Sequence, residues 1–175
     1  MNTKRKTSVL FILSFFMLCA APMAFGQQPG LVITSSAFKP NSMIPAKYSC
    51  EGAGVSPPLQ ITGIPSGAKS LAIIVHDPDA PKPGGVTHWV VWNLPVNRNI
   101  AEGYNGATQG LNSDNKPGYM GMCPPFGTHR YFFKVYALDT QLSISDQSNT
   151  TALEKAMQNH VLAQGQLIGL YTKDQ

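Results

Sequence analysis

The chain has 175 residues, of which 43% are hydrophobic, 13 are Lys or Arg and nine are Asp or Glu. Three of the basic residues lie within the first six positions. From position 27 onward the chain has ten basic and nine acidic residues, and the basic residues form no cluster in the sequence. This balance removes the electrostatic argument for binding nucleic acid or an anionic membrane surface.

The first 26 residues have the pattern of a secretory signal peptide. An apolar run from Val9 to Leu18 follows the basic start, and Ala24-Phe25-Gly26 places small residues before a cut at Gln27. Cys19 raises the alternative of lipid attachment, but the residues before it are bulky where that signal requires small ones. We therefore predict an exported protein, periplasmic or secreted, whose residues 27–175 form one domain. No later apolar stretch is long enough to span a membrane.

Short β-type runs recur along the predicted domain and are separated by Pro and Gly clusters. The runs predicted as strands are 31–34, 59–62, 70–75, 89–92, 131–138 and 166–172. The run 70–75 is apolar almost throughout, as in a strand that is buried on both faces. Residues 97–117 are polar and Gly-rich and predict a long surface excursion. With 14 Pro and 16 Gly, the pattern favours an all-β sandwich over alternating strands and helices.

One α-helix is predicted near the end of the chain. Thr151 and Glu154 have the spacing of a capping box at its start. The residues that follow on one helical face are Leu153, Ala156, Met157, His160 and Val161. We expect the helix to run to about Ala163, to end near Gly165 and to pack against the sandwich, with His160 as a structural residue.

Cys50 and Cys123 are the two cysteines of the predicted domain. Because an exported chain meets an oxidising environment, an even number of cysteines favours a disulfide. On the chain-entropy account, a bridge across about 70 residues stabilises the fold by about 4 kcal/mol. Two buried free thiols and a two-ligand zinc site are the alternatives. Zinc is less favoured because neither cysteine belongs to a C-x-x-C pair.

The stretch HDPDAPKPGGVTHW, residues 76–89, places carboxylates and histidines between two strand-like runs. Proline favours an extended residue before it, so Asp77-Pro78-Asp79 is expected to be stiff and extended. Side chains two residues apart then point the same way, which would direct both carboxylates into one pocket. The alternative is an Asp-Pro turn with solvated aspartates.

A second stretch, GYMGMCPPFGTHRYFF at residues 118–133, combines glycines and prolines with His129. Glycine-rich backbone can approach a ligand closely, and its amides can hold an anion. The alternative is a turn that precedes a core strand. With Asp77, Asp79 and His88, His129 would complete a polar cluster in which carboxylates favour protonated imidazoles. Such imidazoles could donate to a phosphate or a carboxylate.

Several linked motifs resemble one known family. These motifs are DPDAP at 77–81, HWVVWNLP at 88–95, CPPFGTHRYFFKVYALD at 123–139, YSCEGAGVSPPL at 48–59 and HVLAQGQLIGLY at 160–171. On these residues the chain resembles the phosphatidylethanolamine-binding protein family, in its bacterial Raf-kinase-inhibitor-like branch. The resemblance covers essentially all of the predicted domain.

The resemblance implies a Greek-key β-sandwich of antiparallel sheets with a peripheral C-terminal α-helix, and a small pocket for phosphate-type anions. The matching pocket residues are Asp77, Asp79, His88, Gly121, Pro125, His129 and Tyr131. Asp77 and His88 would form its core, His129 its side and Tyr131 its wall, while Gly121 would bring backbone close to the anion. One departure is Met122, which stands where the branch usually has proline and is expected to loosen the loop. The helix that flanks the pocket in animal relatives has no evident match here.

We therefore predict a non-enzymatic domain, possessing no cofactor or metal, that binds a headgroup or a phosphorylated ligand. A small polar pocket has no room for two acyl chains, so a buried lipid is not expected. A hydrolase that uses the Asp and His residues, with or without a metal, is a second hypothesis. It is less favoured because no G-x-S-x-G, H-E-x-x-H or Walker motif is present. A secreted effector or inhibitor that acts on a protein partner is the third.

Overall fold

A computed structural model describes residues 30–97 and 99–173 of the chain. The predicted signal peptide and its cleavage site therefore lie outside the described residues. The strands, numbered in chain order, are β1 Val32–Thr34, β2 Leu59–Thr62, β3 Ser70–Asp77, β4 Val86–Leu94, β5 Asn99–Ile100, β6 Thr108–Gln109, β7 Thr128–Leu138 and β8 Val161–Thr172. One α-helix, α1, spans Thr150–Met157, and a 3-10 helix spans Ala46–Tyr48.

The strands pair in an antiparallel manner into two sheets. One sheet has the order β1-β2-β5, and the other has the order β6-β4-β3-β7-β8. Apolar side chains on the facing sides of the sheets form the main core, among them Ile61, Ile73, Val75, Phe133 and Val135. The predicted antiparallel β-sandwich of Greek-key type with one peripheral helix is confirmed.

Strand β3 is buried on both faces, as its unbroken apolar run predicts. Ile73 contributes to the main core between the sheets. Its neighbour Ile74 contributes to a second cluster, in which the outer face of the five-stranded sheet packs against α1 through Leu153 and Met157. The alternation of strand side chains therefore gives the larger sheet a filled inner face and a partly covered outer face.

The end of α1 differs from the prediction. The N-cap is Asn149, whose Oδ1 accepts a hydrogen bond from the Ala152 amide at 3.2 Å, so the predicted capping box at Thr151 is wrong. The helix ends at Met157, well before Ala163, because β8 begins at Val161 and pairs along most of β7. Backbone pairing with a distant strand outweighs the local helical pattern. His160 lies in the intervening turn, where Nδ1 and Asp139 Oδ1 are 2.8 Å apart.

Cys50 and Cys123 form a disulfide, with the sulfur atoms 2.07 Å apart. This bond joins the segment after the 3-10 helix to the loop that precedes β7. A parallel backbone bridge between Ser49 and Met122 lies beside it, and the Cys50 amide donates to the Met122 carbonyl oxygen at 3.0 Å. The two loops are thus held together both covalently and by hydrogen bonds. The free-thiol and zinc alternatives do not describe this pair.

Candidate functional site

A β-bulge displaces His88 from the regular pairing of β3 with β4. Val75 pairs with Trp89, whereas the next residue, His76, pairs with Thr87, so His88 is an extra residue without a partner on β3. A bulge of this kind bends the strand and re-aims the side chain of the extra residue. His88 is 4% exposed and lines a cavity at this end of the sandwich.

The cavity, called the His88 cavity below, has a volume of about 560 Å³. It lies between the end of β3, the start of β4 and the disulfide-linked loops. Its lining residues are Cys50, Asp77, Ala80, Pro81, Lys82, Val86, His88, Asp114, Met120, Gly121, Cys123 and Pro125. Of the seven residues expected at the pocket, four line it, namely Asp77, His88, Gly121 and Pro125.

Asp77 is the last residue of β3, lines the cavity and is 2% exposed. Its Oδ2 atom accepts a hydrogen bond from His129 Nδ1 at 2.8 Å, and both side chains are buried. Its Oδ1 atom accepts from the Asp79 backbone amide at 2.9 Å, the geometry of an Asx turn. The carboxylate of Asp77 is therefore directly bound to His129 and not to His88, although Asp77 and His88 both line the cavity.

Asp79 does not share the cavity with Asp77, contrary to the expectation from an extended Asp-Pro-Asp segment. The Asx turn reverses the chain after Asp77, and the Asp79 carboxylate instead accepts hydrogen bonds from Arg130. The Arg130 Nη2, Nε and backbone N atoms lie 2.7, 2.9 and 2.9 Å from its oxygens. This two-pronged contact, together with the backbone amide, lowers the pKa of Asp79 to about 2. Asp79 therefore anchors the loop to the start of β7.

We expect Asp79→Asn to lower the free energy of unfolding by about 1 kcal/mol at neutral pH, after allowance for solvent screening of this partly exposed pair. The folded-state pKa lies below the ordinary value of 3.8, so the stabilisation is present above that value and is lost as the pH falls toward about 2. Urea unfolding at several pH values measures the difference. Asp146→Asn, at an exposed position outside any described ion pair, is the matched control. A difference that does not shrink in acid would contradict the assignment.

His129 and Tyr131 lie behind the cavity wall instead of lining it. His129 contacts Asp77 as described, and the exposed ring of Phe126 packs edge-on against it, with centroids 6.1 Å apart. The Tyr131 ring packs edge-on against His88, with centroids 5.2 Å apart. Burial, and then the charge of Asp77, raises the pKa of Tyr131, although its buried hydroxyl makes no hydrogen bond of ordinary geometry to the described residues. These two side chains support Asp77 and His88 from behind.

The protonation of His88 is governed by burial. Its Nδ1 atom donates to the Met120 carbonyl oxygen at 2.9 Å, so the neutral ring carries its proton on Nδ1. Burial lowers the pKa of His88 below the ordinary value of 6.5, while the Met120 carbonyl and the charge of Asp77 partly oppose that shift. At neutral pH the imidazole is therefore neutral, with a lone pair on Nε2, and not the imidazolium that the sequence suggested.

Gly121 is required by packing of the backbone around it. A Cβ atom at this position would lie 2.8 Å from the Ser49 carbonyl carbon and 3.0 Å from the Cys50 nitrogen. No side chain fits between the two loops, so glycine lets them approach closely. Its neighbour Met122 is fully buried in the main core, while the looser loop expected from methionine in place of proline stays a prediction.

Two charged lining residues were not singled out from the sequence. Lys82 is exposed and lies in the loop between β3 and β4, where its amide donates to the Ala80 carbonyl oxygen and its own carbonyl accepts from Gly85. It belongs to the HDPDAPKPGGVTHW stretch, so that unusual composition was the available signal. Asp114 lies in the polar excursion, and nothing local distinguishes it. Its position at the cavity depends on how that excursion folds back.

Comparison with known proteins identifies the family. Residues 34–172 match the family model described as phosphatidylethanolamine-binding protein. The chain belongs to this family. The match includes every motif segment that carried the resemblance from Tyr48 onward, and the predicted family is thereby confirmed.

Individual relatives agree with this assignment. A UPF0098 protein of Pyrococcus horikoshii is 46% identical over 159 residues, which cover 85% of this chain and 80% of the relative. The crystal structure of a phosphatidylethanolamine-binding protein homolog from Chlamydia trachomatis is 45% identical, with a TM-score of 0.79, and the match covers 83% of this chain and 99% of that one. For the crystal structure of E. coli YbcL, a member of the same family, the identity is 30%, the TM-score 0.77, and the coverage 83% and 100%.

Within 30–97 and 99–173, no three His, Cys, Asp or Glu side chains are grouped so that they could hold a metal ion. In the same part of the chain, no helix has both the length and the apolar character needed to cross a membrane.

Proposed function

We propose that this member of the family is an exported, non-enzymatic domain that binds a phosphate-type anion in the His88 cavity. The observation that supports the proposal is the bulged, buried His88 in the cavity wall. Its Nδ1 atom is committed to the Met120 carbonyl, so Nε2 is the ring nitrogen that remains for a ligand. A neutral ring offers an anion only a lone pair, whereas a protonated ring offers an N–H donor.

Anion binding is therefore coupled to proton uptake by His88. The anion and the proton stabilise one another, since a protonated imidazole beside an oxyanion forms a charge-assisted hydrogen bond. Asp77 assists, because its charge favours the protonated form of His88. The Asp77 carboxylate is held in place by the hydrogen bond from His129 Nδ1. The two buried side chains thus provide a proton-dependent anion receptor.

The remaining charges of the lining make the affinity modest. Lys82 attracts an anion, while Asp114 repels it. Both are exposed, so solvent screens each contribution. The volume of about 560 Å³ lies within the range of about 300–1,000 Å³ that is usual for small-molecule sites. A phosphorylated headgroup or a free phosphorylated compound suits this space better than an entire lipid.

The coupling predicts how binding depends on pH. Sulfate is the probe, because it keeps its charge between about pH 5 and pH 8, where histidine titrates. As the pH rises through the lowered pKa of His88, sulfate affinity is expected to fall by up to about tenfold per pH unit. Amide chemical shifts of residues 119–123 report binding in this cavity. His160→Ala is the matched histidine control and should keep the dependence. A flat pH profile for the wild-type protein would overturn the proposed coupling.

Export and the absence of catalysis are parts of the same proposal. The signal-peptide pattern and the disulfide between Cys50 and Cys123 both favour an oxidising compartment. Amino-terminal sequencing of the protein after export is expected to begin at Gln27. Incubation with phosphomonoesters and peptides is expected to yield no product. Turnover that is lost in His88→Ala would replace the binding proposal with a hydrolase.

A further inference from the structure

A second cavity lies on the other side of the loop between β3 and β4. It has a volume of about 530 Å³ and lies against the outer face of the larger sheet, beside the start of α1. It is called the Lys134 cavity below. Strand alternation explains the separation, because Asp77 faces the His88 cavity while its neighbour His76 lines the Lys134 cavity. Lys82 lines both.

The ionisable groups of the Lys134 cavity are not paired with one another. Its lining includes Lys82, Lys134, Glu154 and His76. None of the four takes part in an ion pair with the described residues, 30–97 and 99–173. Lys134 is half-buried in the middle of β7, opposite Ile74 of β3. Because Ile74 belongs to the outer cluster, Lys134 lies on the outer face of the larger sheet, where it has no counter-ion among the described residues.

The charges around the cavity give a net positive lining. Burial, followed by the charge of Lys134, lowers the pKa of His76, whereas Asp77 and Glu154 oppose that shift. His76 is consequently neutral at neutral pH, and two ammonium groups face one carboxylate. The first turn of α1 contains no acidic residue, so the positive end of its dipole adds to the lysines.

Most neutral polar groups of the lining are already used within the protein. Asn112 Oδ1 accepts from the Asp114 and Lys116 amides, and Asn149 caps α1. The hydroxyl group of Thr150 donates to that of Thr87 at 3.1 Å. The groups left for a ligand are therefore mainly the two ammonium ions. They come from separate elements, the β3–β4 loop and β7.

We propose that the Lys134 cavity binds a small organic anion with two or more carboxylates, held between Lys82 and Lys134. Two separate cations match two anionic groups on one molecule better than a single small oxyanion, and the volume admits the carbon frame that joins them. Glu154 limits the affinity by repulsion. This site is distinct from the His88 cavity and does not rest on its proposed role.

Calorimetric titration with citrate at pH 7 and constant ionic strength tests the proposal. Lys134→Met is expected to weaken citrate binding about tenfold, the usual value of one charge-assisted hydrogen bond. Glu154→Gln is expected to strengthen it several-fold by removing repulsion. Lys155→Met removes one positive charge, as Lys134→Met does, but from a position on α1 outside the lining. It should have no effect on citrate binding.

Two further measurements keep the result unambiguous. Thermal unfolding verifies that Lys134→Met folds, and Lys134→Gln, which keeps a polar side chain, should weaken citrate binding similarly. His88→Ala should retain citrate binding, because His88 does not line this cavity. The proposal is overturned if the wild-type protein does not bind citrate, or if either Lys134 variant binds it as the wild type does. Loss of citrate binding in His88→Ala would also overturn the proposal, because it would indicate that citrate binds in the His88 cavity.

Discussion

Replacing His88 by alanine is expected to abolish sulfate binding in the His88 cavity. The substitution removes the ring nitrogen that can become an N–H donor, and with it the buried positive charge that offsets the cost of desolvating the anion. In the variant, Lys82 is the cation that remains in the lining. It is exposed and screened by solvent, so we expect it to supply little affinity. The amide shifts of residues 119–123 during a sulfate titration on the acidic side of the lowered pKa of His88, where the wild-type ring is protonated, measure the effect.

Two additional variants separate loss of the donor from damage to the fold. His88→Ala removes most of a buried side chain and leaves a void, so some loss of stability is expected. His88→Asn can keep a donor toward the Met120 carbonyl but has no titratable nitrogen. It should fold and still fail to bind sulfate. His160→Ala should bind as the wild type does. Equal sulfate affinity in folded His88→Asn and wild type would refute the assignment of His88 as the receptor group.

Loss of the disulfide is expected to lower the free energy of unfolding by about 4 kcal/mol. The bond joins Cys50 to Cys123 across a sequence separation of 73 residues, so its removal releases a long loop in the unfolded chain. Urea unfolding of the exported form under oxidising and reducing conditions measures the difference. Both cysteines are exposed, which makes the bond accessible to a reductant.

The paired variant Cys50→Ala with Cys123→Ala controls for the reductant itself. It should match the reduced wild-type protein and should not respond to reducing conditions. Because Cys50 and Cys123 also line the His88 cavity, reduction should weaken sulfate binding as well as stability. An unfolding midpoint of the wild-type protein that does not move on reduction would contradict the prediction.

The strand predictions were accurate where the pattern of burial is local. The aromatic and β-branched residues of β7 identified the strand, but its true start at Thr128 precedes the predicted Tyr131. The helix was predicted too long, because Val161 and its neighbours have a helical apolar spacing yet pair with Leu138 and the residues before it. The competing interaction is between elements more than twenty residues apart, and a local pattern contains no information on it.

The candidate site was only partly predictable for a similar reason. Sequence motifs pointed to Asp77 and His88, and both line one cavity. They did not indicate that Asp79 would bind Arg130, because that contact depends on the Asx turn at Asp77 and on the position of β7. Lys82 was within the singled-out stretch, but its position between two cavities depends on how the loop between β3 and β4 folds.

The amino-acid sequence by itself favoured a bridge between the two cysteines, and it determined the family, the sandwich architecture and the chemical types available at the site. These follow from alternation of side chains, from turn residues and from motifs, all of which are local in the chain. The tertiary structure alone decided which partner each charged group has and which face it occupies. Those choices depend on strand register and on one extra residue in β4, where a shift of a single position reverses the face of a side chain.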